Sequence, residues 1–132
     1  MPAKKTEVID VVSPFMVDAI VHKGNFKKHI NSKIVSSKIE FEDVTNTSIP
    51  IDLSGFKHIR HITVSPGTDV PPHAHNSPVV RVITYGDATV NGVTYQAGDW
   101  MIIPAKLRYS ISTKGGYKAL GICHMWSWVD DD

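Results

Sequence analysis

Two histidines separated by one residue are the part of this sequence best suited to chemistry. His73 and His75 lie in the stretch VPPHAHNSP, directly after two prolines that stiffen the chain. Residues i and i+2 of a β-strand point to the same face, so both imidazoles are expected to face one space. Imidazole is a common ligand of divalent transition metals such as iron, zinc, manganese and nickel. The pair therefore predicts part of a metal site that needs further ligands from elsewhere in the chain.

Other histidines and one arginine are candidates to complete such a site. His124 lies in the apolar stretch LGICHMW, where a strand covered on both faces could bring it to the same space. His58 and His61 differ by three positions, so on one strand they face opposite sides and only one can point inward. Arg81 shares the strand face of Val79. An inward Arg81 would bind an anionic substrate through its planar fork, whereas a β-bulge would turn it to solvent.

Short β-strands must position these residues. The β-rich stretches are KIEFED, FKHIRHITV, VVRVITY, ATVNGVTYQ, AGDWMIIPA, RYSIST and YKALGICHMWSW. Asn91-Gly92 between two such runs is a strong hairpin signal. About nine short strands with turn signals roughly every 8–12 residues predict an all-β sandwich or barrel. Ser13 and Pro14 predict the start of a short helix that ends at Gly24, although the Val and Ile residues there would also suit a strand.

The composition is that of an ordinary globular domain. A length of 132 residues suits one domain, and 14 basic against 13 acidic residues give no charge excess that would favour nucleic acid or a membrane surface. The single cysteine, Cys123, excludes an internal disulfide, and its apolar neighbours predict a buried, unreactive thiol. No apolar run reaches the roughly 20 residues of a membrane span, and the first residues carry no export signal. The sequence thus predicts a cytoplasmic protein.

The spacing of these residues resembles the two conserved motifs of the cupin superfamily. The first motif is matched by Gly67, His73, His75, Val79 and Gly86. The second motif is matched by Gly92, Gly98, Asp99, Pro104 and Tyr109. The resemblance covers roughly residues 56–126. It implies a double-stranded β-helix, which is a jelly-roll-like barrel, with a small-molecule substrate bound inside.

The resemblance also implies a metal-ligand set that this chain does not complete. Cupins typically hold a metal with two histidines and a glutamate from the first motif and one histidine from the second. Val79 stands at the glutamate position and Tyr109 at the position of the last histidine, so only His73 and His75 match. Two neutral imidazoles alone make a poor divalent site, because nothing compensates the charge of the ion.

Three alternatives follow from this departure. In the first, which we favour, substitute ligands keep the metal, and the protein is a metal-dependent enzyme of the dioxygenase, isomerase or lyase type. His73, His75 and His124 would then be ligands, Tyr109 a ligand or acid–base group, and Arg81 the group that orients an anionic substrate. His58 or His61 could replace His124 as the third ligand. In the second alternative, a metal-free pocket binds or senses a small molecule through hydrogen bonds; in the third, the barrel is only a packing or dimer scaffold.

The sequence also predicts how the chain is organised. Residues 1–55 are expected to form an N-terminal extension that packs on a barrel core at 56–128. Trp126 and Trp128 are expected at the cavity mouth or in a subunit contact, with a core role in the monomer as the alternative. The stretch HMWSW is too apolar for an exposed strand edge, which favours a homodimer contact there. Trp100 is expected at the mouth of the cavity or in the same subunit contact.

Overall fold

Short strands joined by tight turns make up most of the chain. The computed structural model describes residues 3–124. Within this range the strands are β1 (Ala3–Val11), β2 (Val21–His22), β3 (Ser32–Glu40), β4 (His58–Val64), β5 (Asp69–His73), β6 (Val79–Val90), β7 (Val93–Gln96), β8 (Trp100–Ile103), β9 (Tyr109–Ser112) and β10 (Tyr117–Cys123). The helical segments described are two 3₁₀ turns, Pro14–Met16 and Phe26–His29.

Two antiparallel layers enclose the core. The first has the strand order β2-β8-β6-β10-β4, and in the second β9 pairs with both β5 and the end of β6, which also pairs with β7. Strand β6 is long enough to serve both layers: Val79 to Val82 pair with β8, and Asp87 to Val90 pair with β7. Buried side chains from both layers pack together in one cluster that includes Met101, Ile103, Tyr109 and Ile111. The predicted all-β double-stranded β-helix is confirmed.

The outer face of the first layer is covered by the N-terminal segment. Val12, Val21 and Ile51 pack in a second buried cluster with side chains of β6 and β8, among them Trp100 and Ile102. Strand β8 is therefore buried on both faces, which explains its continuous apolar sequence WMII. Trp100 thus packs in this second buried cluster and does not lie at the mouth of a cavity. The predicted contact residues Trp126 and Trp128 lie outside the described residues.

The prediction of a helix that begins after Ser13 is wrong. Pro14–Met16 form a single 3₁₀ turn, and the side chain of Ser13 makes no capping hydrogen bond. Val17 is already extended, with φ −121° and ψ 152°, and Val21 pairs with Ile102 of β8. The β-branched residues that made the helix ambiguous are used for sheet packing. Strand β1, which pairs with β3 in a separate two-stranded ribbon, carried no clear pattern in the sequence.

The hairpin predicted at Asn91-Gly92 is confirmed. These two residues join β6 to β7 with φ values of 46° and 85°. Positive φ at both central positions is the geometry of a type I′ turn, whose twist matches that of the flanking strands. The turn holds β7 beside the part of β6 that pairs with β9.

Candidate functional site

The two prolines before the histidine pair set its position on β5. The register of β5 against β9 shifts between Val70 and His73, so Pro71 and Pro72 lie in an irregular part of the ladder. Proline has no N–H to donate, which makes it compatible with a strand only at such an irregularity or an edge. After the shift, His73 is the direct partner of Tyr109 on β9. The sequence PPH therefore brings one imidazole opposite the phenol.

His73, His75 and Tyr109 form one hydrogen-bonded cluster. The Tyr109 hydroxyl lies 3.1 Å from Nε2 of His73 and 2.7 Å from Nε2 of His75. The two imidazole rings are perpendicular, with centroids 5.1 Å apart. Tyr109 is only 1% exposed, so its hydroxyl is shared by the two rings inside the barrel. The structure thus brings together three residues that the sequence selected, and it does so through hydrogen bonds.

The hydrogen-bond partners of His73 assign the protons of this cluster. Nδ1 of His73 lies 2.9 Å from the carbonyl oxygen of Pro71, which can only accept, so Nδ1 carries the proton. In the neutral ring, Nε2 of His73 is then an acceptor, and the Tyr109 hydroxyl donates to it. A phenol has one proton, so Nε2–H of neutral His75 donates to the Tyr109 oxygen. The two histidines are therefore opposite tautomers.

A cavity of about 330 Å³ opens beside this cluster. Its wall combines the two imidazoles with apolar and cationic side chains. The lining residues are Arg60, Ile62, Val64, Val70, His73, His75, Ser77, Pro78, Val79, Arg81, Ile111, Tyr117, Gly121, Cys123 and His124. Tyr109 does not line the cavity, so it supports the imidazoles from behind. The role of Tyr109 as a metal ligand or acid–base group stays a prediction, and its place behind the imidazoles suits a positioning residue.

Arg81 and a second arginine lie on the wall contributed by the first layer. Arg81 points inward with Val79, as their shared strand face predicts. The sequence reasoning missed Arg60 of β4, which lines the same cavity. Arg60 has the same parity as Ile62 and Val64, and that alternation is the signal that could have found it.

The structure also separates the remaining histidines. His58 is buried, and its Nε2 accepts a hydrogen bond of 3.1 Å from Nε of Arg60, while His61 is exposed on the opposite face of β4. His124 lines the cavity, and its Nδ1 donates to the carbonyl oxygen of Gly55 at 2.7 Å. Its ring also meets Phe15 edge-on at a centroid distance of 5.2 Å. His124 is thus anchored to the segment that precedes β4.

The residues present do not fit a resident divalent metal. Across residues 3–124, no group of three or more His, Cys, Asp or Glu side chains is placed to hold an ion. Val79, at the expected glutamate position, is buried hydrocarbon, so no carboxylate offsets the charge of an ion there. Two ligand atoms bound to one metal at about 2.0–2.1 Å lie about 3.3–3.4 Å apart in a tetrahedral site and about 2.8–3.0 Å apart in an octahedral one. The 2.7 Å between His75 Nε2 and the Tyr109 oxygen is a hydrogen-bond distance, shorter than either separation.

Comparison with known proteins finds a likeness of fold. No protein-family model and no curated protein matches the sequence. The chain is similar to a protein of unknown function with a cupin-like fold from Ralstonia eutropha, at 18% identity over 49% of this chain and 44% of the other, with a TM-score of 0.46. It is also similar to a structure of Rhodobacter sphaeroides SigE in complex with the anti-sigma ChrR, at 19% identity over 49% and 37% of the two chains, with a TM-score of 0.46.

A third similar structure is a salicylate 1,2-dioxygenase variant from Pseudoaminobacter salicylatoxidans in complex with gentisate. The identity is 16% over 50% of this chain and 19% of the other, with a TM-score of 0.44. The chain spans less than half of the length of each of these three structures. In the part of the chain that the structure describes, no helix has the length and apolar character needed to cross a membrane.

Proposed function

We propose that this protein binds a small organic molecule in the barrel cavity, without a resident metal. The observation that carries the proposal is the Tyr109 hydroxyl, which holds Nε2 of both His73 and His75 in hydrogen bonds. In the cupin pattern those nitrogens would face the ion. Here they are committed to a phenol, and the histidines serve as a fixed polar part of the cavity wall.

The size and lining of the cavity support a small ligand. A volume of about 330 Å³ is at the low end of the range of about 300–1,000 Å³ for small-molecule pockets. Ile62, Val64, Val70 and Ile111 give an apolar wall, and Ser77, Arg60 and Arg81 add a few polar groups. This combination is typical of sites that bury the body of a ligand and orient it by a few hydrogen bonds.

A second candidate function is acid–base catalysis by the imidazoles. The hydrogen-bonded chain from the Pro71 carbonyl through His73 and Tyr109 to His75 favours it, because the chain fixes which nitrogens carry protons. In such an enzyme Tyr109 would be a positioning residue, and one hydrogen bond of the chain would have to open before an imidazole could exchange a proton with substrate. Metal-dependent chemistry, which the sequence favoured, gains no support from the donor set.

The test measures metal content and ligand binding on the same preparation. The protein is purified without chelator or nickel resin, its metals are quantified by mass spectrometry, and cyclohexanecarboxamide is titrated while backbone amide spectra are recorded. We expect less than about 0.1 equivalent of any transition metal, and shifts at amides that line the cavity, unchanged by EDTA. Stoichiometric metal that is lost in the double variant His73→Ala/His75→Ala would overturn the proposal.

A cavity-filling variant provides the control for location. Val70 is half-buried on the cavity wall, so Val70→Phe adds volume to open space rather than to the packed core. We expect Val70→Phe to keep the fold, seen by circular dichroism, and to remove the ligand-induced shifts. Shifts that persist in folded Val70→Phe would place the ligand outside the barrel and would contradict the proposal.

A further inference from the structure

Two arginines and a glycine form one row across the first layer of the barrel. Gly121 of β10 is the direct partner of Arg60 on β4 and of Arg81 on β6. Direct cross-strand partners point to the same face of a sheet, and all three residues line the cavity. We call Arg60, Gly121 and Arg81 the arginine row. Because β10 lies between β4 and β6, the two arginines flank a position that has no side chain.

The glycine at the centre of the row allows the side chains of Ile62 and Arg81 to approach the backbone of β10 closely. A Cβ atom added at Gly121 would lie 2.9 Å from Cδ1 of Ile62 and 3.6 Å from Nε of Arg81. Any larger residue would therefore stand directly against the Arg81 side chain. Arg60 also lines the cavity, and its Nε–H donates to Nε2 of His58 at 3.1 Å, so a ligand could be bound only by its two terminal nitrogens.

Among residues 3–124, no carboxylate on the cavity wall compensates the positive charge of the row. Nε of Arg81 is buried and has no hydrogen-bond acceptor among residues 3–124. No Asp or Glu of that range lines the cavity. Arg60 is exposed to water, whereas Arg81 is half-buried. Tyr117 lies nearby: burial raises the pKa of its phenol, and the charge of Arg81 acts in the opposite direction. A buried donor without an acceptor is costly, and a bound anion would relieve that cost at Arg81 Nε.

We infer that the ligand of this cavity is an organic carboxylate whose head group binds at the arginine row. Guanidinium donors match the two oxygens of a carboxylate, and the cavity that Arg60 and Arg81 line gives the head group space beside them. The apolar body of the ligand would lie along Ile62, Val64 and Val70. The inference rests on the proposed function, since it assigns the chemical class of the molecule that the cavity binds.

The test compares two ligands of equal shape that differ in charge. Cyclohexanecarboxylate and cyclohexanecarboxamide are titrated by calorimetry into the wild-type protein and into Arg81→Gln. A lost charge-assisted hydrogen bond corresponds to roughly a tenfold to hundredfold change in affinity. We expect the wild type to bind the carboxylate at least tenfold more tightly than the amide, and Arg81→Gln to bring the two affinities within about threefold. The amide affinity itself should change little.

The controls separate the effect of the arginine row on the carboxylate preference from general effects of charge. Arg60→Gln should lower the carboxylate preference in the same direction. Arg108→Gln removes an equal charge from an arginine that does not line the cavity, and it should leave the preference unchanged. Gly121→Ala places a methyl group beside Arg81 and should weaken the carboxylate more than the amide.

The outcomes distinguish failure of this inference from failure of the proposed function. If the wild type binds the amide and the carboxylate with equal affinity, the inference about the arginine row is overturned and the proposed function still stands. Binding of neither would overturn both. Tighter binding of inorganic phosphate than of cyclohexanecarboxylate would overturn the assignment to a carboxylate, as would an unchanged carboxylate preference in Arg81→Gln.

Discussion

Removal of the Tyr109 hydroxyl is the sharpest perturbation of the histidine cluster. Tyr109→Phe keeps the ring in its buried position and deletes one oxygen, which lies 3.1 Å from His73 Nε2 and 2.7 Å from His75 Nε2. Each intramolecular hydrogen bond contributes about 0.5–1.5 kcal/mol net, so two bonds give about 1–3 kcal/mol. The imidazoles line a cavity that water can enter, and partial replacement by water brings the expected loss of unfolding free energy to about 1–2 kcal/mol.

Tyr95→Phe is the matched control, because it deletes the same atom from another buried tyrosine. Tyr95 is 3% exposed, and its hydroxyl has no hydrogen-bond partner among residues 3–124. Loss of an unsatisfied buried hydroxyl costs nothing in hydrogen bonding, so this variant should be as stable as the wild type or slightly more stable. Its ring contact with His22, at a centroid distance of 5.7 Å, survives in phenylalanine.

Urea unfolding and histidine NMR measure the two consequences separately. With a slope of about 2 kcal/mol per molar urea, the expected loss in Tyr109→Phe moves the midpoint down by roughly 0.5–1 M. Long-range ¹H–¹⁵N spectra should show His73 protonated at Nδ1 and His75 at Nε2 in the wild type. Equal stability of the Tyr109→Phe and Tyr95→Phe variants would refute the reasoning, and so would a His73 ring protonated only at Nε2.

Three further predictions concern the scaffold. The amide of Gln96 and then Lys23 lower the pKa of Asp99, so its stabilising contribution is present above about pH 3.8 and is lost as the pH falls through the lower folded-state value. Asp99→Asn should therefore be less stable than the wild type at pH 7, and urea unfolding at about pH 2.5 should show a smaller difference. Gly92→Ala, at φ 85°, should lose about 1 kcal/mol of unfolding free energy, whereas Gly115→Ala, which lacks a positive φ and has no atom within 4 Å of the added Cβ, should be nearly neutral in the same assay. Light scattering should give twice the monomer mass of 14.6 kDa if the predicted homodimer forms, and a monomer mass would contradict it.

The barrel was predictable because its signals are local. Alternation of apolar and polar residues marked β4 and β6, and Asn91-Gly92 marked the hairpin between β6 and β7. The N-terminal segment was not predictable in this way, because its strands are stabilised by partners that are distant in the chain. Val21 pairs with Ile102, about eighty positions away in the chain, and no local pattern reports such a contact.

The members of the candidate site were predictable from the sequence, but their hydrogen bonding was not. Strand parity brought His73 and His75 to one space and placed Arg81 on the cavity wall. Parity could not reveal that the Tyr109 hydroxyl would reach both imidazoles, since that depends on the register between β5 and β9. Arg60 escaped notice for the same reason: its partnership with Arg81 exists only through the pairing of both strands with β10.

The second buried cluster has a consequence for truncated variants of this protein that lack the N-terminal segment. The side chains of Val80, Trp100 and Ile102 meet Val12, Val21 and Ile51, which belong to the first 55 residues. In a fragment reduced to residues 56–128, the outer face of the first layer would become an exposed apolar surface. We expect such a fragment to precipitate or to need detergent, so ligand studies should begin with the full chain.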